Sequence, residues 1–146
     1  MSQLCRHIEA IFCDDIREEV GGKFSLMGVY SGDMIVANLP AVLPKLCIAI
    51  TVVTPVDDPF DSLQLGIYLD GVELPIISTG QIDTPPETLS KDDGSVWIMM
   101  HMMFALSPFQ IDKETTLRVI ADTERGELRG RSLKIITPKM PQAVTH

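Results

Sequence analysis

The stretch Ser62-Leu63-Gln64-Leu65-Gly66-Ile67-Tyr68-Leu69 decides the class of fold. Aliphatic side chains fill positions 63, 65, 67 and 69, and the residues between them are mostly small or polar. This period of two predicts a β-strand with one buried face. Asp70-Gly71 follows directly and is a strong hairpin signal, so we expect residues 72–77 to return as the partner strand.

Further strands are predicted wherever a short apolar or alternating run lies between turn residues. These runs cover residues 8–16, 23–30, 34–39, 46–54, 96–106, 116–121 and 132–136. The runs 46–54 and 96–106 are apolar on both faces, which is typical of central strands. A helix over residues 9–20 is an alternative for the first run, but its β-branched residues and its Asp14-Asp15 pair favour a strand.

These runs, about eight in number, predict an all-β fold. We expect an antiparallel, immunoglobulin-like β-sandwich of two sheets, with a small β-barrel as the second choice. The 146 residues fit one domain, which we place at residues 1–137, followed by a C-terminal tail at 138–146.

The sequence gives no indication of export, membrane insertion or cofactor binding. The first residues lack an apolar signal core, and no apolar run approaches the roughly 20 residues of a spanning helix. The three cysteines, Cys5, Cys13 and Cys47, form an odd set that favours reduced thiols. We therefore expect a soluble, cytoplasmic protein that holds no metal and no cofactor, since no CxxC pair is present.

Charge is distributed unevenly along the chain. The net charge is −8, and residues 1–100 carry 15 acidic and 5 basic side chains. Such an acidic body argues against nucleic-acid binding, which depends on phosphate neutralisation. A basic group near the C-terminus is interpreted as a solvated hairpin tip, and it consists of Arg125, Arg129, Arg131, Lys134 and Lys139.

Two segments near the N-terminus resemble a known family. They are Ile11-Phe12-Cys13-Asp14-Asp15-Ile16-Arg17 and Gly22-Lys23-Phe24-Ser25-Leu26-Met27-Gly28-Val29-Tyr30. Their acidic pair, Gly-Lys turn and closing glycine are similar to the opening of a family of small bacterial proteins of unknown function. Leu39-Pro40, Pro108-Phe109 and Leu117-Arg118-Val119 extend the likeness. The resemblance implies a compact β domain and no assigned activity.

Catalytic motifs are missing from the sequence. It contains no GxSxG, HExxH, Walker-type or GxGxxG pattern, and only three histidines. We therefore expect a protein that is not an enzyme.

Asp14, Asp15 and Arg17 form the most distinctive charged group. In a strand, Asp15 and Arg17 share one face and Asp14 lies on the other. We predict an exposed Asp15–Arg17 pair at the sheet rim, worth less than about 1 kcal/mol. The alternative is a charged contact with a partner.

The run Met99-Met100-His101-Met102-Met103 holds four of the eight methionines. Alternation places Trp97, Met99, His101 and Met103 on one face, opposite a second apolar face. A strand with two apolar faces is either central and buried or meets another chain. Methionine adapts to irregular surfaces and recurs at binding sites, and a symmetric dimer is the commonest assembly.

These observations favour a protein-interaction or assembly module whose partner is a protein or a second copy, with no nucleic acid and no membrane. The alternative is a small-molecule or Ca²⁺-dependent binding domain of the β-sandwich type, and a hydrolase comes third. Carboxylates from two acidic loops, residues 55–61 and 80–94, would ligate Ca²⁺. The candidate ligands are Asp57, Asp58, Asp61, Asp92 and Asp93.

Overall fold

A computed structural model of the chain describes residues 5–83 and 96–138, and all regular secondary structure in these ranges is β-strand. The strands are β1 His7–Glu19, β2 Lys23–Val29, β3 Met34–Ile35, β4 Ala41–Leu43, β5 Leu46–Pro55, β6 Leu63–Leu69, β7 Ile77–Gln81, β8 Trp97–Leu106, β9 Phe109–Ile111, β10 Thr115–Thr123, β11 Gly126–Arg129 and β12 Leu133–Ile136. No segment in the described ranges forms an apolar helix of membrane-spanning length.

The strands form two large sheets and one small sheet. The first sheet has the order β2-β1-β5-β8, with every pair antiparallel. The second has the order β3-β12-β10-β6-β7, with β11 also beside β10 and with β3 parallel to β12. The strands β4 and β9 pair separately. None of these sheets closes on itself within the described part of the chain.

One buried cluster contains side chains from both large sheets. The first sheet contributes Ile8, Ala10, Phe12, Leu46, Ile48, Ile50 and Val52. The second contributes Leu63, Leu65, Ile67, Leu117, Val119, Ala121, Leu133 and Ile135. These are the inward positions of alternating strands, and each large aliphatic or aromatic side chain contributes about 1.5–3 kcal/mol through its burial.

The all-β prediction is confirmed, and the helix alternative over residues 9–20 is wrong. Those residues belong to β1 and the turn that follows it. Ile8, Ala10 and Phe12 are buried while Glu9 and Ile11 are exposed. This period of two suits a strand that packs one face on the core.

Three predictions about strand placement need correction. The partner of β6 begins at Ile77 rather than at residue 72, because the chain after Asp70 first makes a turn closed by a bond from Val72 N–H to the Leu69 carbonyl. The final hairpin contains an additional strand, β11, between β10 and β12. The run 96–106 is not central, because β8 is the last strand of its sheet among residues 5–83 and 96–138. Sheet order depends on long-range pairing, which local periodicity does not encode.

Several predicted features lie outside the described residues. They include Asp92, Asp93 and most of the loop predicted at residues 80–94, together with Lys139 and nearly all of the tail predicted at 138–146. The division into a domain at 1–137 and a tail stays a prediction.

Candidate functional site

β8 presents four predicted site residues on the outer face of the first sheet, which is the face opposite the buried cluster. Ile98 is buried toward the core, and alternation places Trp97, Met99, His101 and Met103 on the other side. Met99 is 58% exposed and Met103 is 38% exposed. The predicted grouping of these residues on one face is therefore observed, and that face is open to solvent.

Neighbouring strands continue this outer face. In the antiparallel register, Ala49 lies opposite Met103, Thr51 opposite His101 and Val53 opposite Met99. The Thr51 hydroxyl and His101 Nδ1 share a hydrogen bond of 3.0 Å. On β1, His7 meets the Trp97 ring edge-on, with the ring centroids 5.9 Å apart. The outer face therefore combines apolar side chains with the polar side chains of Thr51, His101 and His7.

A groove runs between this face and the hairpin formed by β1 and β2. Its volume is about 370 Å³, and the hairpin contributes Gly22, Phe24 and Leu26 to its lining. The sheet contributes Ile11 as well as the residues around Thr51 and His101. Phe24 is 45% exposed. Among the described residues that line the groove, His101 alone has an ionisable side chain.

The backbone of β8 also has one edge that is unpaired within the described part of the chain. The Val56 N–H donates to the Val96 carbonyl at 2.9 Å, in line with the pairing of Pro55 with Trp97. Backbone groups alternate along an antiparallel strand. Even-numbered residues of β8 therefore point their N–H and C=O toward β5, and odd-numbered residues point theirs away from it. No strand of residues 5–83 or 96–138 pairs with that side.

Asp14, which we predicted as a candidate binding residue, lies in the hairpin but outside the groove. Its carboxylate accepts a 2.9 Å hydrogen bond from the Tyr30 hydroxyl. Burial and this bond to Asp14 raise the pKa of Tyr30 to about 12. Gly28 has a φ of 67°, and a Cβ there would lie 2.2 Å from Asp14 Oδ2. The glycine is therefore required by both its backbone conformation and the carboxylate beside it.

Asp15 is partly exposed at the hairpin, and its predicted pairing with Arg17 is wrong. Lys45 Nζ lies 2.7 Å from Asp15 Oδ1. The hydrogen bond between them lowers the pKa of Asp15 and raises that of Lys45. The pairing of β1 with β5 ends at Cys13, and Arg17 lies beyond that point. There it pairs with Ser25 of β2. The loop before β5 brings Lys45 closer, and sequence spacing gives no sign of this.

Comparison with known proteins identifies the family. The model of a family of unknown function, DUF6941, matches residues 9–135. The chain belongs to this family. The resemblance noted from the sequence is thereby confirmed, and the matched segment of the DUF6941 chain includes all seven predicted site residues. No curated protein and no solved structure matches the chain.

The DUF6941 domain contains an ionic cluster that the sequence did not reveal. The Arg6 side chain is only 6% exposed and lies 2.5 Å from Glu124. It also donates to the Pro59 carbonyl at 2.7 Å, and its guanidinium lies 4.5 Å from the Phe60 ring centroid. Asp58 accepts from both Arg6 and Arg125. These residues join three distant segments, so no local pattern could have indicated the cluster.

Two further groups in this DUF6941 domain have shifted pKa values. Partial burial alone raises the pKa of Glu124, but hydrogen bonds from Arg6 and from backbone N–H groups outweigh it and bring the pKa to about 2. Burial and the neighbouring Cys47 raise the pKa of Cys13. Cys13 and Cys47 lie opposite each other on β1 and β5, and both are buried free thiols.

The acidic loop after β5 does not present a free set of Ca²⁺ ligands. The Asp58 carboxylate is paired with Arg125 and Arg6. Within residues 5–83 and 96–138, no group of three or more His, Cys, Asp or Glu side chains is arranged to hold a metal ion. In the predicted basic group, Arg129 pairs with Glu127.

Proposed function

We propose that this domain is a non-enzymatic protein-interaction or assembly module that binds polypeptide through the outer face of the first sheet. The proposal is carried by β8, where exposed apolar side chains lie beside a backbone edge that no strand of the described residues covers. Large exposed apolar patches tend to mark interaction sites. A free strand edge offers main-chain hydrogen bonds to an added strand.

The chemistry of the face supports this proposal. Met99 and Met103 have flexible, polarisable side chains that fit partners of irregular shape. The groove beside them gives a partner side chain a recess bounded by Phe24 and Leu26. Main-chain bonds along the edge would supply affinity, and this recess would supply selectivity.

We also infer that the two large sheets pack face to face as an immunoglobulin-like sandwich. Support comes from the single buried cluster, to which inward-facing residues of both sheets contribute. In such a sandwich the inner faces form the core, and each outer face is available for contacts.

Selection from a displayed random-peptide library tests the interaction proposal. We expect enriched peptides to bind the wild-type domain and to lose at least tenfold in affinity against Met103→Glu, because a carboxylate would enter an apolar contact. Val42→Glu is the matched control, since Val42 is 62% exposed on β4 in a different sheet. If no enriched peptide discriminates between these variants, and the wild type does not self-associate through β8, the proposal is wrong.

A small-molecule binding role is the second candidate, and the groove is the observation that favours it. Its volume of about 370 Å³ falls within the range of small-ligand sites. Titration with an apolar fluorescent dye tests this role, with Leu26→Glu as the groove variant. Saturable one-to-one binding that Leu26→Glu removes would favour a ligand site over a polypeptide surface.

A further inference from the structure

We propose that the β8 edge binds the β8 edge of a second copy, paired antiparallel about a two-fold axis at His101. This inference rests on the proposed function and names the partner. The paired strands would join the two first sheets into one continuous eight-stranded sheet.

The backbone direction of β8 is suited to this pairing. Met99, His101 and Met103 are odd-numbered residues, so their N–H and C=O groups point to the open edge. With the axis at His101, the two His101 residues exchange both hydrogen bonds. Met99 of one copy and Met103 of the other do the same. Every one of these donors then meets an acceptor.

The side chains of β8 are symmetric about the same residue. The run Met99-Met100-His101-Met102-Met103 reads identically in both directions. An antiparallel pair centred on His101 therefore places methionine opposite methionine at each flanking position. In a two-fold interface the same surface of both copies is in contact, so that surface must be complementary to itself. The symmetric run of β8 meets this requirement.

β8 lacks the features that usually protect an edge strand. Natural edges are short, bulged or charged. β8 has ten residues, pairs with β5 in an unbroken register, and contains no Asp, Glu, Lys or Arg. By contrast, β3 has two residues, and β7 has a register shift in its pairing with β6. Each chain has a net charge of −8, but β8 carries none of these charges, so pairing two β8 strands does not place like charges opposite each other.

The core-facing side chains of β8 are incompletely covered. Met100, Met102 and Phe104 are half-buried, whereas their β5 neighbours are fully buried. Those neighbours are Ile48, Ile50 and Val52. A second β8 would bring its own inward side chains beside the half-buried ones and remove further apolar surface from water.

The position of His101 on the axis gives the dimer a pH dependence. Two imidazoles would lie opposite each other, and protonating both would place like charges together at an apolar contact. Thr51 bonds to His101. The ionisable side chains on the same face are His7, Glu9 and Cys13 of β1 and Cys47 of β5. We therefore expect acid to weaken the dimer, and His101→Gln to remove most of this pH dependence.

Cysteine cross-linking tests the pairing and its register. In a Cys5→Ser background, we expect His101→Cys to form a disulfide-linked dimer under mild oxidation, because directly opposed Cα atoms lie about 5.5 Å apart. Met99→Cys and Met103→Cys should each stay uncross-linked alone, since each residue is four positions from its own copy, or about 13 Å. A mixture of these two variants should cross-link.

The outcomes separate this inference from the proposed function. Linkage of His101→Cys and of the mixture supports the two-fold pairing. If Met99→Cys or Met103→Cys cross-links only to His101→Cys, the two strands pair in a different register. That result overturns the proposed two-fold pairing at His101. Absence of all cross-links with a monomeric wild type also overturns it. In that case, selected peptides that still require Met103 would leave the broader interaction proposal standing.

Discussion

Arg6 has a nearly buried guanidinium that contacts Glu124, Asp58 and the face of Phe60. Removing one partner of a buried ion pair leaves the other charge without compensation. We expect Arg6→Met to lower the free energy of unfolding by about 3 kcal/mol, measured by urea denaturation. Arg118→Met is the control, because the Arg118–Asp70 pair is exposed and should cost less than about 1 kcal/mol.

Glu124 makes stability depend on pH in the acid range. Its pKa of about 2 in the folded chain lies below the usual value of 4.5, so the folded state binds fewer protons than the unfolded state. Its stabilising contribution is complete above pH 4.5 and is lost as the pH falls toward 2. The melting temperatures of wild type and Glu124→Gln should therefore become equal as the pH falls from 4.5 toward 2. A constant difference between them would contradict the assigned role.

The hairpin of β1 and β2 depends on the close approach of Asp14 to Gly28. Gly71 has a similar positive φ of 78° but has open space where a Cβ would be added. Gly71→Ala therefore measures the conformational cost alone, and Gly28→Ala adds the clash with Asp14. We expect Gly28→Ala to be the more destabilising in urea denaturation, by at least about 1 kcal/mol. Equal losses would mean that Asp14 moves aside freely.

The backbone of β8 allows a test at the level of the strand. The N–H of Met99 points to the open edge, so Met99→Pro should leave the bonds to β5 intact, whereas Met100→Pro removes one. We expect Met99→Pro to stay folded by circular dichroism yet lose association, and Met100→Pro to be strongly destabilised. The reverse order of stability would show that the backbone direction is assigned wrongly.

Elements with a clear local pattern were predictable from the sequence. The alternation of residues 63–69 and the doubly apolar run 46–54 identified β6 and the central β5. The edge position of β8 was not predictable, because strand order depends on distant pairing. The same holds for Phe24 and Leu26, which line the groove only because the hairpin lies beside the outer face. Arg6 and Asp58 are 52 positions apart, and no motif links them.

In the whole molecule, the residues that stabilise the fold and the residues proposed to form the dimer contact lie in different regions. The ionic cluster around Arg6 joins the chain before β1 to the turns that follow β5 and β10. The outer face of β8 contributes exposed apolar surface instead. Variants in the cluster should therefore change the unfolding free energy, while variants on the outer face should change association.

Sedimentation velocity of the wild type, Met103→Glu and Val42→Glu at micromolar concentration tests whether the outer face of β8 forms a dimer contact. We expect a dimeric wild type, a folded and monomeric Met103→Glu, and a dimeric Val42→Glu, because of the two substituted residues only Met103 lies at the proposed contact. A monomeric wild type across the concentration range, together with an unfolded Met103→Glu, would show that Met103 supports the fold rather than a dimer contact, and the proposed pairing would be wrong.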